Sequence, residues 1–126
     1  MKAIILAAGL GSRLGKLTQQ VPKCLLTVGH KPMLDHWFLI LSRYGVNEIL
    51  INTHHLSEKV VSHCAKSISN GLKITFSYEK NLLGTAKTIV HNRDFIKDDR
   101  FFLIVYADTW MNIDLRKMLK VQKIHK

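Results

Sequence analysis

The sequence is poor in cysteine and has no long apolar segment. Its 126 residues include two lone cysteines, Cys24 and Cys64, and no Cys-x-x-Cys pair, which argues against a zinc site or a disulfide framework. The apolar run Ala3–Ala8 is too short for a secretory signal, and no segment approaches the length of a membrane span. We therefore expect a soluble protein of the reducing cytoplasm with no membrane partner.

Acidic residues are also scarce. Nine Asp and Glu stand against nineteen Lys and Arg, which gives a net charge of +10. Such an excess fits a nucleic-acid binder, a protein with an anionic nucleotide substrate, or a solvated helix face. The lysines near the C-terminus are Lys117, Lys120, Lys123 and Lys126. Because no basic run is interleaved with aromatic residues, we do not expect nucleic acid to be the partner.

Strand and helix patterns alternate along the chain. Continuous apolar runs at Lys2–Ala8, Glu48–Asn52 and Phe101–Ala107 predict parallel strands buried on both faces. Leu72–Tyr78 alternates apolar and polar residues, which predicts a half-exposed strand near an edge. Helices are predicted from Met33 to Tyr44 between Pro32 and Gly45, from Ser57 to Ile68 before Asn70-Gly71, from about Thr85, and from about Asp114.

This alternation predicts the fold class. One domain over residues 1–126, with 47% hydrophobic content, is expected to form an α/β fold with a Rossmann-like, doubly wound, mostly parallel sheet. With the edge-like third strand outermost, the strand order is 3-2-1-4. Ligands of such sheets bind at the carboxyl ends of the strands, where the order reverses. That point lies between the loops after Ala8 and Ala107, with Arg13 and Asp108 facing each other.

The loop after the first strand has the composition of a phosphate-binding loop. Glycines bring backbone N–H groups close to an anion, and Arg13 and Lys23 add positive charge. A dinucleotide fingerprint starting at Gly9 would need glycine at Leu14. A Walker A loop would need Ser or Thr at Leu17. Both motifs are therefore set aside.

The chain resembles the N-terminal part of the sugar-1-phosphate nucleotidyltransferases, in particular the mannose- and heptose-1-phosphate guanylyltransferases. Their opening pattern, roughly L-A-A-G-x-G-[ST]-R-L-x-P-L-T, matches Leu6–Thr18 except that Lys16 replaces the proline. Further matches follow in the family's order, at Pro22-Lys23-Cys24-Leu25, Lys31-Pro32, Glu79–Ala86 and Val105–Asp108.

The resemblance implies that a nucleotidyl group passes from a nucleoside triphosphate to a sugar-1-phosphate, with release of pyrophosphate. Arg13 is the implied catalytic residue on the β- and γ-phosphates, and Lys23 the one on the α-phosphate or sugar phosphate. Asp108 is the implied Mg²⁺ ligand, the alternative being a helix N-cap, for which Asp114 is better placed. The implied nucleotide-binding residues are Leu6, Ala8, Gly9, Gly11, Ser12, Arg13, Lys23, Glu79, Gly84 and Thr85.

Glu79 bears on the choice of base. In the family this position faces the base edge, as does the backbone near Gly84. A carboxylate only accepts hydrogen bonds, and guanine offers an N1–H beside an exocyclic amine. Relatives that use UTP or dTTP often have glutamine here, so the resemblance favours GTP, with a UTP- or dTTP-using relative as the alternative. The remaining alternative is a surface glutamate in a polar loop.

In the family, the sugar-binding segment and a second magnesium carboxylate lie beyond the part that this chain matches. The fold is therefore expected to be incomplete at the C-terminus, and no residue is assigned to the sugar. A non-catalytic nucleotide-binding module remains an alternative to the enzyme. A half-sheet also leaves apolar surface uncovered, so we expect possible homo-oligomers.

Overall fold

The fold is described from a computed structural model that covers residues 1–68 and 71–124, with side chains described for 1–65 and 71–122. The elements are β1 (Lys2–Leu6), α1 (Leu17–Gln20), β2 (Thr27–Val28), β3 (Lys31–Pro32), α2 (Met33–Arg43), β4 (Glu48–Thr53), α3 (Ser57–Ile68), β5 (Lys73–Tyr78), α4 (Thr85–His91), α5 (Arg93–Ile96), β6 (Phe102–Tyr106) and α6 (Leu115–Ile124). Short 3₁₀ turns occupy Ser12–Leu14 and Lys23–Leu25.

Four parallel strands form the main sheet in the order β5-β4-β1-β6. Ile5 of β1 lies opposite Ile51 of β4 on one side and Val105 of β6 on the other. The predicted order 3-2-1-4 is confirmed, and so is the α/β class. A short antiparallel pair, β2 with β3, was not predicted, because two-residue strands leave no periodic signal.

The two faces of the sheet are covered by different helices. On one face, alternate strand residues pack against α2 and α3, and the buried cluster includes Ala3, Ile5, Ile49, Ile51, Leu34, Phe38, Leu41 and Val60. On the other face Ile4 is fully buried, and Lys2 Nζ donates to the carbonyl of Phe95 in α5 at 2.8 Å. Helices on both faces of a parallel sheet are the doubly wound arrangement.

The prediction for the last strand needs correction. Phe101–Ala107 was expected to be buried on both faces, but Ile104 and Tyr106 of β6 are 42% and 52% exposed. These side chains are exposed because β6 is an edge strand of the sheet in the described residues. An apolar run does not distinguish a strand buried on both faces from an edge strand that bears large apolar residues.

The helix boundaries follow the local signals. Helix α2 begins after Pro32 and is followed by Gly45, which has φ +75°. Asp114 accepts from the backbone N–H groups of Arg116 and Lys117 at 3.0 and 3.3 Å, which confirms it as the N-cap of α6. Gly71 has φ +89°, while Asn70 and the lysine at 126 lie outside the described residues.

None of the helices in the described ranges has both the length and the apolar character needed to cross a bilayer.

Candidate active site

A crevice of about 280 Å³ opens at the carboxyl ends of the strands. Its floor is the end of β1, and its walls include Asn52 near the end of β4 and the segments that follow β5 and β6. This is the place where the strand order reverses, as the topology predicted. Eight predicted site residues line the crevice, namely Leu6, Ala8, Gly9, Lys23, Glu79, Gly84, Thr85 and Asp108.

The glycine loop begins at this crevice, where Gly9 is part of the lining. Gly11 adopts the left-handed conformation at φ +66°, and the 3₁₀ turn Ser12–Leu14 follows it. Within the described part of the chain, the backbone N–H groups of Gly9, Gly11 and Ser12 donate no hydrogen bond to protein. Free N–H groups in a glycine-rich turn are the donors that an anion would use.

Close packing explains why Gly11 is a glycine. A Cβ atom there would lie 2.7 Å from Cγ2 of Thr18 and 3.3 Å from Cβ of Lys23. Thr18 is buried, and its hydroxyl donates to the Gly11 carbonyl at 2.9 Å. The loop backbone at Gly11 is therefore packed directly against Thr18 and Lys23.

Arg13 is exposed and has no hydrogen-bond or ion-pair partner among the described residues. Together with Gly11 and Ser12, it lies outside the set of residues that line the crevice. Arg13 is thus not part of the crevice lining, and the described partner of Asp108 is Lys23 instead.

Lys23 is the residue that faces Asp108. Its ammonium donates to Oδ2 of Asp108, and the two side chains are 33% and 40% exposed. The hydrogen bond from Lys23 is the main reason that the pKa of Asp108 lies below its ordinary value. The Asp108 loop is in turn held by helix α2, because Trp37 Nε1 donates to the carbonyl of Thr109 at 3.0 Å.

Glu79 lies on the opposite wall and is buried at 3% exposure. Its Oε1 accepts from Asn52 Nδ2 at 2.9 Å and from Thr88 Oγ1 at 2.5 Å, and its Oε2 accepts from the backbone N–H of Leu83 at 3.0 Å. Burial acts to raise the pKa of Glu79, but these hydrogen bonds outweigh it and hold the pKa below its ordinary value. Glu79 is therefore an ionised, internally bonded carboxylate and not a surface residue.

Other titratable groups near the site have structural partners. His54 Nδ1 donates to the carbonyl of Glu79 at 2.7 Å, and His55 Nε2 donates to that of Thr18 at 2.9 Å. Burial raises the pKa of both Cys24 and Cys64 to about 12, so neither is a ready nucleophile. No group of three or more His, Cys, Asp or Glu that could hold a metal occurs in the described ranges.

Several residues of the crevice were not predicted. Asn52 and Thr88 carry the hydrogen bonds of Glu79, and the Tyr106 side chain borders the same space. From the sequence, Asn52 was predicted only to be the end of the strand Glu48–Asn52. An Asn in a buried apolar strand is itself a signal, because a buried amide requires hydrogen-bond partners.

Comparison with known proteins decides the family. The model of the family described as "Nucleotidyl transferase" matches residues 2–126. The chain belongs to this family. It is 34% identical over 118 residues to the D-glycero-alpha-D-manno-heptose 1-phosphate guanylyltransferase of Campylobacter jejuni, covering 94% of this chain and 52% of that protein. It is 30% identical over 135 residues to the UTP–glucose-1-phosphate uridylyltransferase of Synechocystis, covering 98% and 34%.

Solved structures show the same fold. HddC from Yersinia pseudotuberculosis, solved also with GMP-PN, superposes with a TM-score of 0.83 at 26% identity over 96% of this chain and 53% of that one. The resemblance seen in the sequence motifs is thereby confirmed, as is the nucleotidyltransferase fold. The chain spans about half the length of the heptose relative and of HddC.

Proposed function

We propose that this chain forms the nucleotide-binding part of a sugar-1-phosphate nucleotidyltransferase. The observation that carries the proposal is one crevice at the strand-order reversal that combines Lys23 and Asp108 with Gly9, whose backbone N–H has no acceptor among the described residues, next to the rest of the glycine loop. Family membership supports the reaction class. The reaction would take place in the cytoplasm, as part of nucleotide-sugar synthesis.

The reaction needs alignment and charge neutralisation more than acid–base chemistry. An oxygen of the sugar-1-phosphate forms a bond to the α-phosphorus, and the bond from that phosphorus to the bridging oxygen breaks. Pyrophosphate leaves with the electron pair. Because the attacking oxygen is already anionic, no side chain has to remove a proton, and oriented donors and cations are sufficient.

The residues divide this work between them. The N–H groups of Gly9, Gly11 and Ser12 bind phosphate oxygens, with Leu6 and Ala8 bordering the nucleoside. Arg13, which has no partner among the described residues, binds the β- and γ-phosphates and stabilises the leaving group. Lys23 binds the α-phosphate or the incoming sugar phosphate, while Gly84 and Thr85 border the base.

Asp108 is the residue proposed to hold Mg²⁺. Magnesium is commonly bound by one or two carboxylates plus phosphate oxygens and waters, and a partly exposed carboxylate beside the crevice fits that donor set. Bound there, the ion would neutralise charge on the triphosphate. Lys23, which pairs with Asp108 in the free protein, would then move its ammonium to the phosphates.

GTP is the proposed nucleotide, with a mannose- or heptose-type acceptor. The heptose relative is named as a guanylyltransferase, and HddC was solved with GMP-PN. Glu79 stands where UTP- and dTTP-using members often have glutamine. The Synechocystis relative is a uridylyltransferase, which keeps UTP as the second candidate.

Pyrophosphate release from GTP tests the reaction. We expect release that requires mannose- or heptose-1-phosphate together with Mg²⁺ and is lost in Asp108→Asn. Glu58→Gln, which removes an exposed charge in α3, is the matched control. Nucleotide binding without acceptor-dependent release would instead identify a non-catalytic nucleotide-binding module.

Self-association is a further part of the proposal. Ile104 and Tyr106 on edge strand β6 and Val90 on α4 are apolar and largely exposed, and an edge strand with such residues readily pairs with another chain. Neither nucleic acid nor membrane is proposed as a partner.

A further inference from the structure

The chain that follows Gly11 has little packing of its own. Residues 12–21 are exposed with the exception of Thr18, which is 3% exposed. The Thr18 hydroxyl donates to the carbonyls of Gly11 and Gly15 at 2.9 and 3.3 Å. The position of the loop that carries Arg13 therefore depends on what holds Thr18.

The backbone at the end of α1 lacks a donor. If α1 continued, the Thr18 carbonyl would accept from the N–H of the fourth residue on, but that residue is Pro22, which has none. His55 Nε2 donates to this carbonyl instead, at 2.9 Å. The Lys59 ammonium donates to the carbonyl of Gln20, the last residue of α1. These two carbonyls are thus paired with side chains that follow β4 in the chain.

The turn that carries His55 is held in a strained conformation. Leu56, which follows His55, has φ +52°, in the left-handed region that is unfavourable for a residue with a Cβ atom. The hydroxyls of Thr53 and Ser57 form a hydrogen bond of 2.8 Å across the turn, and the N–H of Lys59 donates to the Leu56 carbonyl at 3.0 Å. Such strain persists where the surrounding contacts fix the backbone, and it concentrates at functional sites. The His55 ring therefore approaches α1 from a fixed direction.

We infer that His55, together with Lys59, is a positioning residue that anchors α1 and so holds the glycine loop in the shape that binds the β- and γ-phosphates. The inference rests on the proposed nucleotide site and deepens it. His55 is not among the residues that line the crevice, so its effect on a ligand passes through Thr18 and the loop. Loss of the anchor lowers the fraction of molecules whose loop is ready to bind, and the apparent affinity falls by the same factor.

Two substitutions at His55 separate its hydrogen bond from its ring. His55→Phe keeps an aromatic ring and removes the donor. His55→Gln removes the ring but carries an amide N–H donor of similar reach. His63→Phe is the matched control, because the His63 ring pairs with Asp35 of α2 at 2.6 Å and neither residue lines the crevice.

The test is the affinity of these variants and the wild type for GTP and for GMP, each with Mg²⁺. GMP lacks the β- and γ-phosphates that the loop is proposed to bind. We expect His55→Phe to weaken GTP about tenfold, the effect of leaving one carbonyl without its donor, and to leave GMP unchanged. His55→Gln should bind GTP within about twofold of the wild type, and His63→Phe should do the same.

Three results would overturn the inference. They are an equal loss of affinity for GTP and GMP in His55→Phe, no loss in that variant, and a His55→Gln protein as weak as His55→Phe. An equal loss for both ligands is what a merely structural role predicts, because a destabilised fold weakens every ligand alike.

Lys59→Met keeps the test decisive if His55→Phe does not fold. It removes the second donor to α1 from an exposed residue, so the fold should tolerate it. Lys120→Met removes the same charge from the exposed face of α6 and is the control. A positioning role predicts weaker GTP binding in Lys59→Met than in Lys120→Met, with GMP unchanged. Equal GTP affinities in the two variants would contradict the anchor.

Trypsin cleavage without nucleotide separates this inference from the proposed function. Arg13 and Lys16 are cleavage sites within the loop, whereas Lys73 lies in strand β5 and reports opening of the sheet. We expect cleavage after Arg13 and Lys16, relative to that after Lys73, to be several-fold faster in His55→Phe than in the wild type. Unchanged relative cleavage would contradict the anchor. If the wild type binds neither GTP nor GMP, the proposed function and the claim about phosphate binding both fail, and cleavage still decides whether His55 holds the loop.

Discussion

The two sides of the crevice are built on different principles. On the base side, Asn52, Glu79 and Thr88 are buried and bonded to one another. On the phosphate side, the glycine loop has N–H groups that no described residue accepts from, and Lys23 and Asp108 form a partly exposed pair. A closed network adds stability and fixes geometry, whereas unpaired donors and exposed charges are available to a ligand. Substitutions in the buried network should therefore mainly lower stability, whereas substitutions of the exposed charges on the phosphate side should mainly lower nucleotide affinity.

The largest loss of stability is expected on the buried side, for Asn52→Leu. The change leaves the Ala7 N–H without an acceptor and removes a donor from Glu79, so the free energy of unfolding should fall by about 3 kcal/mol. Urea denaturation measures it. Asn47→Leu is the control, an exposed Asn just before the same strand, and should change stability by under about 0.5 kcal/mol. Equal losses of stability in Asn52→Leu and Asn47→Leu would contradict a stabilising role for the buried network.

Gly11→Ala tests the junction between the loop and Lys23. The added Cβ meets Thr18 at 2.7 Å in a left-handed conformation, so we expect a loss on the order of 2 kcal/mol. At Gly9 an added Cβ meets nothing within 4 Å and φ is not positive, which makes Gly9→Ala the matched control for stability. Melting of both variants without ligand checks the difference, and a stable Gly11→Ala would contradict the packing described here.

Low pH should reduce the stability that Glu79 and its hydrogen-bond partners contribute on the base side. The pKa of Glu79 is lowered from an ordinary 4.5, so between the two pKa values the unfolded chain binds more protons than the folded one. The stability from Glu79 is therefore complete at neutral pH and is lost as the pH falls below 4.5 and through the lower folded value. Urea denaturation across this range should give a shallower pH dependence for Glu79→Gln than for the wild type. Parallel curves would mean that Glu79 is not held as described.

The smallest effect on stability is expected for Lys23→Met on the phosphate side. The ion pair with Asp108 is partly exposed, and such pairs contribute under about 1 kcal/mol. Binding of the triphosphate should nevertheless be strongly weakened, because the cation proposed for the α-phosphate is gone. Lys120→Met, on the exposed face of α6, is the control for both measurements. A Lys23→Met protein that loses stability but binds GTP normally would contradict the proposed role of Lys23 in phosphate binding.

The phosphate side of the crevice was more predictable from the sequence than the base side. Gly9, Gly11, Arg13, Lys23 and Asp108 belong to short motifs whose spacing fixes their place in a loop or at a strand end. Apolar patterns likewise predicted the parallel sheet and its order, because burial on both faces imposes a continuous run on central strands. The prediction that β6 is buried on both faces was wrong, because the exposure of an apolar strand depends on which elements pack beside it.

The buried network was not predictable in the same way. Asn52 and Thr88 lie on separate elements, and only the fold brings both to Glu79. The pairing of β4 with β5 places Asn52 there, and the position of α4 places Thr88. Each alone is an ordinary polar residue in an amphipathic or apolar segment. The choice of Lys23 over Arg13 as the partner of Asp108 also depends on loop geometry, in particular the close approach of Gly11 to Lys23.

The most direct test of a nucleotide site in this crevice is the melting temperature with GTP, UTP, dTTP, CTP and ATP, each with and without Mg²⁺. A ligand that binds the native state alone must raise the melting temperature. We predict the largest rise with GTP and Mg²⁺ together. No rise with any of the five nucleotides would contradict the account.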